Sequence, residues 1–321
     1  MYPSHDGVRS SASYYAYGDS RPIDLLPDHC FSHALVHLGF IRDEPNTAAA
    51  WRARPLWSIL ADAGMGIGVV RWALTFPAPE VPGFLVSDRF HQLIGSITQF
   101  DRAAYPPEAL PEVLAAFSSP SDAASSGRDA EASAVARDES YSRTMERLRI
   151  GRDPRFLALR YEGLDTVSHY YLRDALPPGA VRTESDADRR GHGAIDRHYA
   201  YIDAEIGEAL AGLAPDDLLA VVSGFGMQPL NPIKEAVGRL MGDPDFSGTH
   251  ERAPDGFLLL AGASIDPGRH QRGSIVDVTP TILYFLGLPI ARDMDGYARA
   301  DLFARAFTAE RPIAFIPTYR R

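Results

Sequence analysis

The stretch RFLALRYEGLDTVSHYYL, residues 155–172, decides how the chain is to be read. Its first half, RFLALRYE, is of strand length and reads as a strand around the apolar FLAL. Its second half follows directly and places Asp165 and His169 four residues apart. One helical turn puts that carboxylate and that imidazole on the same face. Taken alone, the pair reads first as a solvated aspartate and a histidine in the N-terminal turn of a helix, with metal binding the lesser reading. A strand that runs straight into a helix also predicts how the rest of the chain is built.

On either side the same alternation continues. GIGVVRWAL (66–74) and FLVSD (84–88) are strand-like runs, and WRARPLWSILADAG (51–64) is a helix stopped by Gly64. PPEALPEVLAAF (106–117) is helical with proline near its start, and residues 129–149 form a polar helix. IDRHYAYIDAEIGEALAGL (195–213) is amphipathic, with Ile195, Tyr199, Ile202, Ile206 and Leu210 on one face. DLLAVVS (217–223) and GFLLLAG (256–262) are continuous apolar runs, as expected of strands buried on both faces. SIVDVTPTILYFLGL (274–288) is an apolar helix-like run containing Pro280. The first twenty residues give neither a strand nor a helix start, and 178–192 look like an exposed connection. Strands alternating with helices imply a mainly parallel sheet between helices, organised as a single domain over 1–321.

Composition narrows the function. The chain has 321 residues, 45% of them hydrophobic, and a formal net charge of −10. That surface argues against nucleic acid or an anionic membrane as the main partner, while leaving room for a small anionic substrate in a local pocket. Cys30 is the only cysteine, so no intrachain disulfide forms. No apolar run approaches membrane-spanning length. With no signal-peptide pattern at the N-terminus, a soluble, cytoplasmic protein is the default expectation, and the oligomeric state is left open.

A second histidine joins Asp165 and His169. His250, in FSGTHERAPDGFLLLAG, stands in a loop just before an apolar strand. Asp165, His169 and His250 together make a two-histidine, one-carboxylate set that suits Zn²⁺ with an open coordination position, with non-haem iron or manganese as alternatives. His29, His33 and His37 share a helical spacing, but their apolar setting favours a structural role. Asp277, Asp293 and Asp295 read best as capping and turn residues. No phosphate-binding G-x-x-x-x-G-K-[ST] loop and no H-E-x-x-H is present. Ser223 lacks the first glycine of a nucleophile elbow, which leaves a Ser223–His250 hydrolase as a runner-up.

GLDTVSH, SGTHERAPDGFLLLAG and SIVDVTPTILYFLGLPIARDMDG, in that order, resemble the alkaline phosphatase superfamily, and within it the type I phosphodiesterase/nucleotide pyrophosphatase family. The resemblance runs from about Tyr2 to Phe303. It implies a three-layer α/β/α sandwich with a mainly parallel sheet and two metal ions, usually zinc, at the strand tips. It matches Asp165, His169 and His250 to the ligands of one ion. It also aligns SGFGM (223–227) with Ser-Asp-His-Gly-Met, so Gly224 and Phe225 stand where two ligands of the second ion belong. The family's early aspartate and nucleophile have no counterpart here. The resemblance therefore implies that Met1 lies inside the family's domain, with the first strand and the nucleophile helix missing. The expectation is a one-zinc phosphoester or phosphodiester hydrolase of small phosphorylated substrates, weak or inactive as this chain. The alternative is a non-catalytic relative that binds a phosphorylated ligand or a partner.

Overall fold

The computed structural model describes residues 12–23, 35–36, 38–96, 98–117, 130–174, 188–240 and 246–320. The chain divides into two compact units. The larger comprises residues 2–198 and 229–248, and the smaller residues 199–228 and 249–321.

In the larger unit, β1 (Ala12–Ala16) and β2 (Ile41–Pro45) pair antiparallel, Tyr14 opposite Asp43. The opening segment therefore does hold a strand, built on the β-favouring pair Tyr14 and Tyr15. Helix α1 (Leu56–Asp62) is shorter than the 51–64 expected, because Pro55 sits at its N-cap. It ends before Gly64, whose φ of +75° suits glycine. The main sheet holds β3 (Ile67–Trp72), β4 (Gly83–Ser87), β5 (Ala104–Tyr105) and β6 (Phe156–Leu159) in the order β5-β4-β3-β6. Strand β3 lies parallel to both β4 and β6, with Val69 opposite Leu85 and Ala158, and β5 runs antiparallel to β4.

One face of this sheet carries Val70, Phe84 and Val86. They pack with Val113 of α2 (Leu110–Ala116) and with Tyr141, Met145 and Leu148 of α3 (Ala130–Arg149). Burial of each large apolar side chain of this kind stabilises the fold by roughly 1.5–3 kcal/mol. Gly68 is bare for a reason: a Cβ there would collide with the rings and methyls of Phe84 and Leu157. Helix α4 (Gly163–Tyr171) follows β6 after three residues. Its Val167 packs with Ala134 of α3 and with Ala194 and Ile195 of α5 (Asp188–Ala211). Helix α5 begins inside the stretch expected to be an exposed connection. Its apolar stripe is buried at Ile195, whereas Tyr199 is 58% exposed. Helix α6 (Pro232–Leu240) completes this unit.

In the smaller unit, β7 (Leu219–Phe225) and β8 (Asp255–Ala261) pair antiparallel, Val221 opposite Leu259 and Ser223 opposite Phe257. The expected burial on both faces does not hold, since Phe257 is 58% exposed. Among the described residues each of these strands has only the other as partner, so neither lies inside a wider sheet. The parallel pairing of the main sheet is confined to β4, β3 and β6. Helix α7 (Val278–Phe285) starts from a capping box in which the Ser274 N–H donates to Asp277 Oδ2 at 2.9 Å. Pro280 falls in the first turn, where a missing N–H breaks no helical bond. Tyr284, Ile290 and Phe303 form the core of this unit. No helix among the described residues is long and apolar enough to cross a membrane.

Candidate metal centre

In the larger unit α4 brings Asp165 and His169 together as the spacing predicts. Asp165 Oδ2 and His169 Nε2 are 3.7 Å apart. His169 Nδ1 lies 2.8 Å from the carbonyl of Gly248. A carbonyl only accepts, so Nδ1 carries the proton and the lone pair of the neutral ring is on Nε2, the atom turned to Asp165. The ring stacks on Phe246 with centroids 4.8 Å apart. The Ser247 N–H donates to the carbonyl of His169 at 2.7 Å, and Ser247 Oγ donates to that of Tyr170 at 2.9 Å. Ser247 and Gly248 thus fasten the C-terminal end of α4.

In the smaller unit His250 is held in the same way. Its Nδ1 lies 2.7 Å from the carbonyl of Gly226, which again puts the lone pair on Nε2. The Gly226 N–H is in turn tied to the carbonyl of Pro254 at 2.8 Å. The ring of Phe225 lies edge-on to that of His250, centroids 4.5 Å apart. Gly224 has an ordinary backbone: its φ is not among the positive values, and a Cβ there would meet open space.

Asp165 and His169 of the larger unit and His250 of the smaller are each of a residue type that can ligate a metal ion. The donor chemistry fits one. Two imidazoles and a carboxylate are what a catalytic zinc site uses. In addition, each imidazole has its Nδ1–H committed to a backbone carbonyl, the outer-shell bond that fixes a metal-binding tautomer.

The family model for type I phosphodiesterase / nucleotide pyrophosphatase matches residues 32–272. The chain belongs to this family. It is therefore a member of the alkaline phosphatase superfamily and, at family level, a phosphodiesterase/pyrophosphatase-like hydrolase. The matched span includes Asp165, His169, Gly224, Phe225 and His250, whereas the 274–296 segment lies beyond it. No curated protein and no solved structure matches the chain significantly.

The remaining sequence candidates settle as follows. Asp277 caps the segment leading into α7 and also accepts the Tyr297 N–H at 2.9 Å. Asp293 accepts from Thr318 Oγ1 at 2.7 Å. His29, His33 and His37 lie outside the described residues. Two further histidines, His91 and His198, are held in the larger unit. His91 Nδ1 is 2.8 Å from Tyr141 Oη, and His198 Nε2 is 3.0 Å from Asp138 Oδ2. Burial, helped by the positive charges of Arg71 and Arg137, lowers the pKa of His91 to about 3.

Proposed function

We propose that the chain is a metal-dependent phosphoester or phosphodiester hydrolase acting on small phosphorylated substrates, with Asp165, His169 and His250 as ligands of one divalent ion, zinc in the first instance. The three-layer sandwich of the superfamily is part of that reading. The observation that carries it is the matched tautomer lock: both histidines commit Nδ1–H to a backbone carbonyl, Gly248 for one and Gly226 for the other. A divalent ion held there would polarise a phosphoryl oxygen or lower the pKa of a bound water.

The chain's own residues set the rest. Asp165 contributes a negative charge that offsets a dication, and its side chain is about half exposed, at 52%. Phe246 backs the His169 ring and restricts its rotation. At the end of β7, Gly224 and Phe225 offer no side-chain ligand atom, so no pair of ions divides the charge that develops on attacking and leaving oxygens. Turnover is accordingly slow. The same two residues favour the second reading, a non-catalytic relative that binds a phosphorylated ligand.

A chromogenic phosphodiester assayed with zinc separates the two. Slow hydrolysis that disappears in His250→Ala supports the hydrolase. Zinc-dependent binding of a phosphate ester with no turnover supports the binding protein, and neither behaviour overturns both.

A further inference from the structure

We infer that Asp138 is a positioning residue for the metal-binding helix α4, acting with Arg71 and His198 as a buried clamp on that helix's first turn. The inference rests on the proposed metal site.

Asp138 sits on α3 and is completely buried. Its carboxylate is spent on four groups. Oδ2 accepts from the Gly163 N–H at 3.0 Å and lies 3.0 Å from His198 Nε2. Oδ1 accepts from the Glu162 N–H at 3.3 Å and is paired with Arg71 Nη1. Glu162 is the N-cap residue of α4 and Gly163 its first residue. A carboxylate aimed at the first N–H groups of a helix is favoured by their partial positive charge. A buried charge persists only when it is this fully paired.

The partners are built for the contact. Arg71 leaves β3 at a bulge between Val70 and Trp72, with φ +57°, a conformation few non-glycine residues adopt. Its Nη2 reaches Glu162 Oε2 at 3.1 Å, and its guanidinium lies 4.7 Å from the centre of the Tyr141 ring. Burial works against its charge, but Glu162 and Asp138 more than compensate and raise its pKa. His198, also completely buried, comes from α5. At residue 163 a Cβ would collide with both His198 and Asp138, so glycine is what lets the carboxylate reach the backbone.

Backbone strain and three buried polar groups are thus concentrated on the start of one nine-residue helix, and that helix carries Asp165 and His169. A metal tolerates ligand errors of only about 0.2 Å. Fixing α4 at its first turn by Asp138, and at its last by Ser247, defines both the height and the rotation of those ligands.

The test uses the full chain and measures zinc affinity by chelator competition, with the visible spectrum of the cobalt(II) form as a report of ligand geometry. Asp138→Asn keeps the shape and loses the charge. It should weaken zinc binding by about tenfold or more, the loss that outer-shell changes produce, and change the cobalt spectrum. Val113→Ala, a core change on α2, should lower Tm while leaving both readouts at wild-type values. Should Asp138→Asn not fold, Arg71→Lys keeps a cation that cannot bridge Asp138 and Glu162 together, and a several-fold loss is expected there. Wild-type affinity and spectrum in whichever of these two variants folds overturn the inference. So does a loss in Val113→Ala that tracks its Tm. A wild type that binds neither zinc nor cobalt overturns the metal reading itself, and the positioning role with it.

Discussion

The Phe225 ring meets the His250 ring at an angle of 61°, centroids 4.5 Å apart, and Phe225 remains 59% exposed. An apolar ring thus leans on a histidine proposed as a ligand, at the position where the family resemblance puts a ligand of a second ion. It braces the His250 ring, and it offers a cation nothing in return for lost hydration.

Gly224→Asp combined with Phe225→His should therefore create a second, weaker zinc site. The backbone at Gly224 poses no obstacle, because its φ is ordinary and a Cβ meets open space. Elemental analysis of stripped and zinc-reloaded protein should give more than one zinc per chain in the double variant. A count unchanged from wild type would show that the depleted pair is not what limits metal binding.

Replacement of a helical glycine by alanine ordinarily stabilises a protein by roughly 0.5–1 kcal/mol. Gly163→Ala should do the reverse, because the added methyl enters the space of Asp138 and His198. A loss of about 1–3 kcal/mol is expected, as for other overpacked sites. Denaturant unfolding reads it, and a stabilised variant would show that Asp138 and His198 do not lie against α4.

The stability of the larger unit should fall in acid through His91. Its folded pKa is lowered to about 3 from an ordinary 6.5, first by burial and then by Arg71 and Arg137. Between those values the unfolded chain binds the extra proton, so stability is complete above about pH 6.5 and declines as the pH drops toward 3. By pH 5 the group should cost on the order of 1–2 kcal/mol, since a pKa unit is worth about 1.4 kcal/mol. His91→Gln, which cannot titrate, should show a shallower acid slope in urea unfolding. Parallel slopes for the two proteins would refute this assignment.

Much of this was legible in the sequence, and the reasons differ by residue. The i, i+4 spacing of Asp165 and His169 placed them together because helical geometry leaves no other outcome. Gly64 marked the end of α1 through its positive φ. The runs 217–223 and 256–262 misled because apolar content reports what a strand can bury and not what covers it. Asp138 was missed because the 129–149 helix reads as polar overall. Its signal is the stripe Ala134, Asp138, Tyr141, Met145 and Leu148, all buried at helical spacing, with one carboxylate in its middle. A lone acid in such a stripe needs partners, and Arg71 and His198, distant in sequence, supply them only once the chain is folded.

The most direct test of the central claim is the zinc content and affinity of the intact chain beside His169→Ala and His250→Ala. The account predicts one tightly held zinc per wild-type chain. It predicts a fall in affinity of more than about 100-fold in each variant, since loss of even an outer-shell partner costs roughly 10–100-fold. Two tightly held zinc ions in the wild type, or zinc held equally well without His169 or without His250, would contradict it.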